Sequence, residues 1–382
     1  MSLTDGEDPV GLRILKVCTS RSWGGMEMSM ATISARLRDR GHDVHPLCYS
    51  NSRIHQRLLG MDFKPVTLDL WGKFHPFKAL WLSRYINRNN IDIVHTDYSR
   101  DLFTLVPAMK WCKPTPLVLH KHVGTIRPKN LPVHPYLYRN VDFVIAISRV
   151  IETNLLETHP LRPDQVGIIH HGIDLERFVP DAPRRDRLRA ELGIGEHEQV
   201  VGIVGRLQEA KGHLQFLEVA KRILPDFPDT RFVIVGEATR GEDEEANAIL
   251  DRIEKAGLGD RMILTGYRDD VPDLLGAMDL FLFPTHSEAF GLVIVEAMAM
   301  GVPVISADCD GVPDIVDHGR TGLLVSPTDV DGLTGAVADL LGDEKKRRGF
   351  GQAGRARAEE LFSEEKMCGE LEQLYHRLIA QK

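Results

Sequence analysis

Glu288 and Glu296 stand eight residues apart in Phe283-Pro-Thr-His-Ser-Glu-Ala-Phe-Gly-Leu-Val-Ile-Val-Glu-Ala-Met-Ala-Met-Gly-Val-Pro-Val-Ile-Ser306. An apolar strand is expected to end at Pro284, a polar loop to carry Glu288, and a helix to open near Gly291 and run to Met300. Gly301 and Pro303 then stop the helix and lead into the next strand. Glu288 therefore stands at the carboxyl end of a strand, where open α/β sheets bind ligands. Glu296 lies about a turn and a half into the helix, at ~3.6 residues per turn. The helix start between them offers free N–H groups, which favour phosphate. Two carboxylates for hydroxyl groups and an amide cluster for phosphate suit a nucleotide sugar.

A second chemical cluster follows the apolar run Val200–Val204, in Gly205-Arg-Leu-Gln-Glu-Ala-Lys-Gly212. Gly205 lets the chain turn at the strand end, and Arg206 and Lys211 both fall near the strand's carboxyl edge. Two fixed cations there would neutralise a diphosphate and stabilise the charge that grows as it leaves. By itself the pair reads as surface charge; on one domain with Glu288 and Glu296 it reads as part of a site.

The elements that must position these residues alternate along the chain. Short β-rich runs separated by helical stretches signal parallel α/β layers. Strands are expected at Leu12–Cys18, Val44–Cys48, Ile91–His95, Leu117–Leu119, Val141–Ile147 and Val166–His170. A second set is expected at Val200–Val204, Arg231–Val235, Met262–Thr265, Leu280–Phe283, Val304–Ser306 and Leu323–Val325. Between the sets, Phe178-Val-Pro-Asp-Ala-Pro-Arg-Arg-Asp186 is rich in proline and charge and reads as the linker. The simplest assembly is two Rossmann-like domains, 1–178 and 179–362, whose sheets face each other across a cleft. A terminal helix at 363–382, with apolar spacing at Met367, Leu371, Leu374 and Leu378, is expected to join the first domain.

The motifs together resemble the retaining GT-B glycosyltransferases of family 4. The resemblance rests on Gly205-Arg-Leu…Lys211-Gly and on Glu288-Ala-Phe-Gly-Leu…Glu296-Ala-Met-Ala-Met-Gly-Val-Pro-Val. Ser20-Arg-Ser-Trp-Gly-Gly-Met-Glu27 is similar to the family's first glycine-rich loop. Val144-Ile-Ala-Ile-Ser148 and Ile168-Ile-His-His-Gly-Ile-Asp-Leu-Glu-Arg-Phe178 are similar to the end of its first domain. Gly266-Tyr-Arg-Asp-Asp-Val-Pro-Asp-Leu-Leu and Gly311-Val-Pro-Asp-Ile-Val…Gly319-Arg-Thr-Gly-Leu-Leu-Val complete the donor domain.

The resemblance implies roles. Arg206 and Lys211 would hold the donor diphosphate, Glu288 the hydroxyls of the transferred sugar, and Glu296 the ribose. The amides of Phe290, Gly291, Leu292 and Val293 would complete the phosphate site. Gly24 and Gly25 would admit the diphosphate close to the first domain's backbone, and the turn of Gly266, Tyr267 and Arg268 would receive the base. In Pro116-Leu-Val-Leu-His-Lys-His122 the family position favours His122 as the histidine near the sugar, with His120, two residues back on the same strand face, as the alternative. Acceptor candidates are Arg21 and the run from His120 through Lys121 and Arg127 to Lys129. The chain departs from the family's pattern at His171, where asparagine is usual, and at Ala289, where glycine is.

The expected reaction is transfer of a sugar, with retention, from a nucleotide diphosphate to an acceptor hydroxyl, in lipopolysaccharide, exopolysaccharide or glycolipid synthesis. No Asp or Glu nucleophile stands out on the acceptor side, which fits front-face substitution better than double displacement. The donor is a UDP-, GDP- or ADP-sugar, the acceptor a glycan or lipid-linked glycan, with no nucleic acid partner and no cofactor. No metal is required, since the two cations and the helix start can replace a divalent ion. Domain closure is expected to keep water from the activated donor. An epimerase or phosphorylase of the same architecture is one rival, and would convert a UDP- or GDP-sugar without acceptor. A non-catalytic binding subunit is another, but has no need of Arg206, Lys211, Glu288 and Glu296 together.

Composition bounds the rest. At 382 residues, 43% hydrophobic and 27% charged, the chain reads as an ordinary globular protein of two domains. No apolar run reaches the ~18 residues of a membrane span, and Met1–Asp8 does not read as a signal peptide. Cys18, Cys48, Cys112, Cys309 and Cys368 are odd in number and lack a Cys-x-x-Cys spacing, so they read as reduced thiols in a cytoplasmic protein. Residues 1–175 carry 22 basic against 16 acidic side chains, and the remainder 25 against 39. A basic first half is consistent with an anionic acceptor or the inner membrane face, and equally with ordinary solvated charge. Lys73-Phe-His-Pro-Phe-Lys-Ala-Leu-Trp-Leu-Ser-Arg-Tyr85 reads as a surface helix with its aromatics packed inward rather than an interfacial one. Asp308-Cys-Asp310 resembles a metal pair but reads as a loop.

Overall fold

A computed structural model describes residues 11–73, 75–238 and 243–382; the N-terminal segment read above, Phe74 and residues 239–242 lie outside the described residues. The chain divides into two compact units. One holds the chain up to His170 together with Glu364–Lys382, and the other holds His171–Ser363.

The strands of the first unit are β1 (Arg13–Cys18), β2 (Asp43–Cys48), β3 (Val66–Thr67), β4 (Ile93–Thr96), β5 (Leu117–Lys121), β6 (Phe143–Ala146) and β7 (Val166–Ile168). All pair in parallel, in the order β3-β2-β1-β4-β5-β6-β7. Helices cover the faces, so the strands carry near-continuous apolar runs, buried on both sides. The two residues of β3 are too few to show a period and went unread in the sequence. The terminal helix Glu364–Ala380 buries Met367, Cys368, Leu371, Leu374, Tyr375 and Leu378 in one core with Ile14, Ile93, Val118 and Ile145.

The second unit contains β8 (Gln199–Val204), β9 (Thr230–Val235), β10 (Met262–Gly266), β11 (Leu280–Phe283), β12 (Val304–Ala307) and β13 (Gly322–Val325). They too are parallel, in the order β10-β9-β8-β11-β12-β13. In each sheet the chain runs outward one way and then the other, so the order reverses once, between β1 and β4 and between β8 and β11. The crevice at the carboxyl ends of such a strand pair is where doubly wound sheets bind ligands.

Two readings need correction. The proline-rich stretch at 178–186 is no linker. Phe178 is buried, the Asp181 side chain accepts the Arg184 amide at 2.9 Å, and Ala182–Glu191 is a helix with Pro183 in its first turn. Proline costs nothing where a helix has no intrahelical partner for its N–H, so Asp-Ala-Pro opens this helix, and the unit boundary falls earlier, at His170–His171. The helix Pro76–Arg88 also does not turn Phe77 and Trp81 inward. It buries Ala79, Leu82, Ser83 and Ile86, while Phe77 is 86% and Trp81 41% exposed. The inward stripe follows the 3–4 spacing of small and aliphatic residues, Phe77 and Trp81 lie away from it, and Tyr85 is half-buried with its hydroxyl 2.8 Å from His45 Nδ1.

Candidate functional site

In the second unit the loops after β8 and β11 are stitched together. The buried Thr285 hydroxyl donates to Ala210 O at 3.0 Å, and the His286 amide donates to the same oxygen at 2.8 Å. This seam places Lys211 Nζ 2.7 Å from Glu288 Oε2, though 77 residues separate them. Each side chain is 18% exposed. Arg206, on the same loop, is exposed, and Gly205 donates to Val235 O at 2.9 Å. The helix beyond Glu288 spans Leu292–Ala299 with Gly291 as its N-cap. The first amides of a helix have no intrahelical acceptor, and this helix start lies against Glu288, since a Cβ on Gly291 would stand 3.2 Å from the Glu288 Cγ.

Glu296, within that helix, is half-buried. Desolvation pushes its carboxyl up to about 7, against a weaker downward pull from Arg177. In the Gly266–Arg268 turn, the Tyr267 hydroxyl donates to Asp269 at 2.6 Å. The Arg268 guanidinium is held by Asp270 at 2.6 Å and Glu191 at 2.7 Å, while Tyr267 stays largely exposed. The His171 ring lies edge-on to Phe290, with centroids 5.7 Å apart.

One residue of the Asp308–Asp310 loop went unread as part of this site. Asp310 Oδ2 accepts the Ser287 hydroxyl at 2.7 Å and the Glu288 amide at 3.1 Å, and Gly311 donates to Glu288 O at 2.9 Å. Glu288 is thus held from its own backbone. Asp310→Ala is expected to lower kcat/KM by roughly tenfold through loss of positioning, with Asp310→Asn recovering most of it. Steady-state kinetics of the two variants would check this; an Asp310→Ala enzyme as active as wild type removes the positioning role.

In the first unit the reversal point gathers a buried polar group. Lys16 on β1 lies beside His95 on β4 in register, and its ammonium donates to Asp97, which follows β4. Both side chains are fully buried. Asp97 Oδ1 lies 3.0 Å from Nε2 of His122 and 3.7 Å from Nδ1 of His120. The two imidazoles stack with centroids 4.4 Å apart; His120 is wholly buried on β5, and His122, 5% exposed at its side chain, stands just past the strand's carboxyl end. His95 Nδ1 is 2.5 Å from the Tyr375 hydroxyl on the terminal helix. His95, Asp97 and His120 bring ligand atoms close enough for a metal ion. The Lys16 ammonium already sits on Asp97, however, and would repel a second cation there.

Gly24 caps the helix Gly25–Asp39, and a Cβ on Gly25 would meet nothing within 4 Å, which leaves the helix start open to close approach. Arg21 rides over the rings of Tyr49 and Trp71, at 5.3 and 5.2 Å from their centroids. With Thr19, Ser20, Tyr98 and Arg100 it lines a cavity of about 330 Å³. Lys129 lines a second, of about 280 Å³, with His134 and Tyr138. Arg100 lines both and went unread in the sequence. Burial, then the charge of Lys129, lowers the Lys121 ammonium to about 8. Arg127 is exposed and borders neither cavity.

Comparison with known proteins supplies the family and the fold. Residues 23–177 match Glycosyltransferase Family 4, and residues 184–357 match Glycosyl transferases group 1. The chain is 27% identical over 375 residues to N-acetyl-alpha-D-glucosaminyl L-malate synthase of Bacillus anthracis, covering 94% of this chain and 95% of that one. It is 31% identical to the lipopolysaccharide core biosynthesis mannosyltransferase LpsB of Rhizobium meliloti, over 64% of this chain and 68% of LpsB. In fold it is similar to Anabaena Alr3699/HepE, solved with UDP and glucose, at a TM-score of 0.80 and 24% identity, covering 95% of this chain and 99% of that one. It is also similar to a glycosyltransferase of Rickettsia africae, at a TM-score of 0.86 and 21% identity, covering 97% and 100%. With both signatures matched in order and a Rossmann-like unit under each, the chain belongs to the group 1, family 4 glycosyltransferases and has their GT-B fold.

Proposed function

We propose that the protein is a retaining, metal-independent glycosyltransferase that moves a sugar from a nucleotide diphosphate to a hydroxyl of an anionic glycan or lipid-linked acceptor. The observation that carries this is the Lys211–Glu288 pair, 2.7 Å apart beside an open helix start at the sheet's reversal point. Lys211, Arg206 and the amides of Phe290, Gly291, Leu292 and Val293 hold the diphosphate, while Glu288 accepts from the hydroxyls of the transferred sugar. The anomeric C–O bond breaks toward the diphosphate, the acceptor oxygen attacks from the same face, and its proton passes to the leaving phosphate oxygen. The fixed cations stabilise that leaving charge in place of a divalent ion. Arg21, Arg100, Lys121 and Lys129 suit an acidic acceptor, and the lipopolysaccharide role of LpsB supports a surface glycan. Among the described residues no helix is long and apolar enough to cross a membrane. Exposed Phe77 and Trp81 near Arg84 support peripheral contact with the inner membrane face.

Glu296 supplies the test. Its folded-state carboxyl lies at about 7, above the ordinary 4.5, so its contribution to stability is complete below the unfolded value and is lost as pH rises through about 7. Ribose hydroxyls donate to the ionised form, so nucleotide binding expels the proton. Affinity should rise about tenfold between about pH 6 and about pH 8. Thermal-shift titrations with UDP-, GDP- and ADP-sugars at those two pH values would read this, with Glu296→Gln abolishing the dependence. NMR of the product's anomeric carbon then reports retention. No stabilisation by any of the three donors, or an inverted product, overturns the reading.

A further inference from the structure

The Lys16–Asp97 pair is unexplained by donor chemistry, since neither side chain has any exposed surface. Lys16 interrupts a strand whose other residues from Ile14 to Cys18 are apolar and buried, and an apolar side chain there would avoid desolvating two charges. Of the histidines around the pair, His122 is the one within hydrogen-bond distance of Asp97, at 3.0 Å against 3.7 Å for His120. We propose that Lys16 is a positioning residue: its ammonium keeps Asp97 ionised yet charge-balanced, so that Asp97 fixes His122 as the neutral Nε2–H tautomer. The proposal rests on the reading of His122 as the histidine beside the transferred sugar.

The chemistry follows from the partners. An ionised carboxylate only accepts, so at 3.0 Å the His122 Nε2 must carry the hydrogen, and in the neutral ring Nδ1 is then the acceptor. An unbalanced Asp97 would draw a proton onto an adjacent imidazole and remove that acceptor. The Lys16 ammonium cancels this pull.

The groups packed around the pair leave these two charges to balance each other. On β1, burial drives the Cys18 thiol well up, and on the terminal helix it drives Cys368 to about 12 and Tyr375 well up, so all three stay neutral. His95 on β4 is pushed well down by burial and by Lys16, and stays neutral too. His120 lies on His122 in the stack, and Lys121, next in sequence, falls to about 8. Asp101 is different: burial raises its carboxyl to about 6 against hydrogen bonds from Thr19 and Thr96. It titrates in the range of interest, so the state of the His122 ring itself must be measured, not only a rate.

The experiment uses the full chain with ¹⁵N-labelled histidines, observing two-bond ¹H–¹⁵N correlations, with the His122 signals assigned by their loss in His122→Gln. Wild type should give the Nε2–H tautomer at neutral pH. In Lys16→Met the His122 ring should lose that single tautomer at neutral pH and carry hydrogens on both nitrogens, and kcat/KM at neutral pH should fall with it. Lys16→Met with Asp97→Asn, which removes both charges and keeps an acceptor, should bring both back. An Nδ1–H tautomer or an imidazolium in neutral wild type overturns the proposal, even where Lys16→Met does not fold. So does a Lys16→Met protein whose His122 ring stays in the wild-type tautomer. Full activity in His122→Ala would instead remove His122 from the sugar site and leave the tautomer measurement to decide the role of Lys16.

Discussion

Lys211→Ala is expected to lower kcat by about 10²–10³-fold, the effect of deleting one preorganised group that stabilises a leaving charge. The same substitution should barely alter thermal stability. A partly exposed ion pair contributes only about 0–1 kcal/mol, and Lys211 and Glu288 each keep 18% of their side-chain surface in solvent. Turnover and folding thus separate at this position. The pairing also predicts a non-additive cycle. Without Lys211, the Glu288 carboxylate faces the incoming diphosphate uncompensated, so Glu288→Gln in that background should cost less than Glu288→Gln alone. Rates measured with the donor that thermal shift identifies would check both parts. A Lys211→Ala enzyme within about threefold of wild type is incompatible with a diphosphate clamp of this kind.

Much of that site could be read from the chain, because its residues sit at the ends of strands whose apolar runs announce themselves. Lys211 and Glu288 each follow such a run, and the glycines and prolines around them mark the turns. What the sequence could not convey is their contact, since that depends on which strands are neighbours. The order β8-β11 passes over two intervening strands. The buried group in the first unit was hidden for the same reason. Lys16, Asp97 and His122 come from β1 and from the ends of β4 and β5, all adjacent in the sheet but far apart in the chain.

A signal was present nonetheless. A lysine inside a strand buried on both faces needs a counter-ion, and the carboxylate just past the neighbouring strand was the natural candidate. Asp308-Cys-Asp310 is a loop, as its sequence suggests; what went unread is that the Asp310 carboxylate turns back onto the Glu288 amide, a contact set by which strands are neighbours. The linker was misread because proline marks helix starts as readily as breaks, and the Asp181 cap decided between them.

Gly212→Ala should destabilise the second unit more than any surface substitution, and it tests whether the seam between the β8 and β11 loops is rigid. Gly212 has φ +83°, and an added Cβ would lie 2.1 Å from Pro284 O and 2.5 Å from its carbonyl carbon. Both are backbone atoms, and Pro284 is followed by Thr285 and His286, which bond to Ala210. The left-handed conformation alone costs an alanine about 1–2 kcal/mol, and forced overpacking adds about 1–3 kcal/mol. Gly257 isolates the first term, because it has φ +67° and nothing within 4 Å of its Cβ position. Gly257→Ala should therefore lower the melting temperature by only a few degrees, and Gly212→Ala by on the order of 10 °C. Relief of the clash would push Lys211, the preceding residue, away from Glu288, so activity should fall well below that of Gly257→Ala even at temperatures where both variants are folded. If the two melt within about 2 °C of each other, the loops part easily, and the alignment of Lys211 with Glu288 would have to come from the bound donor rather than from the fold.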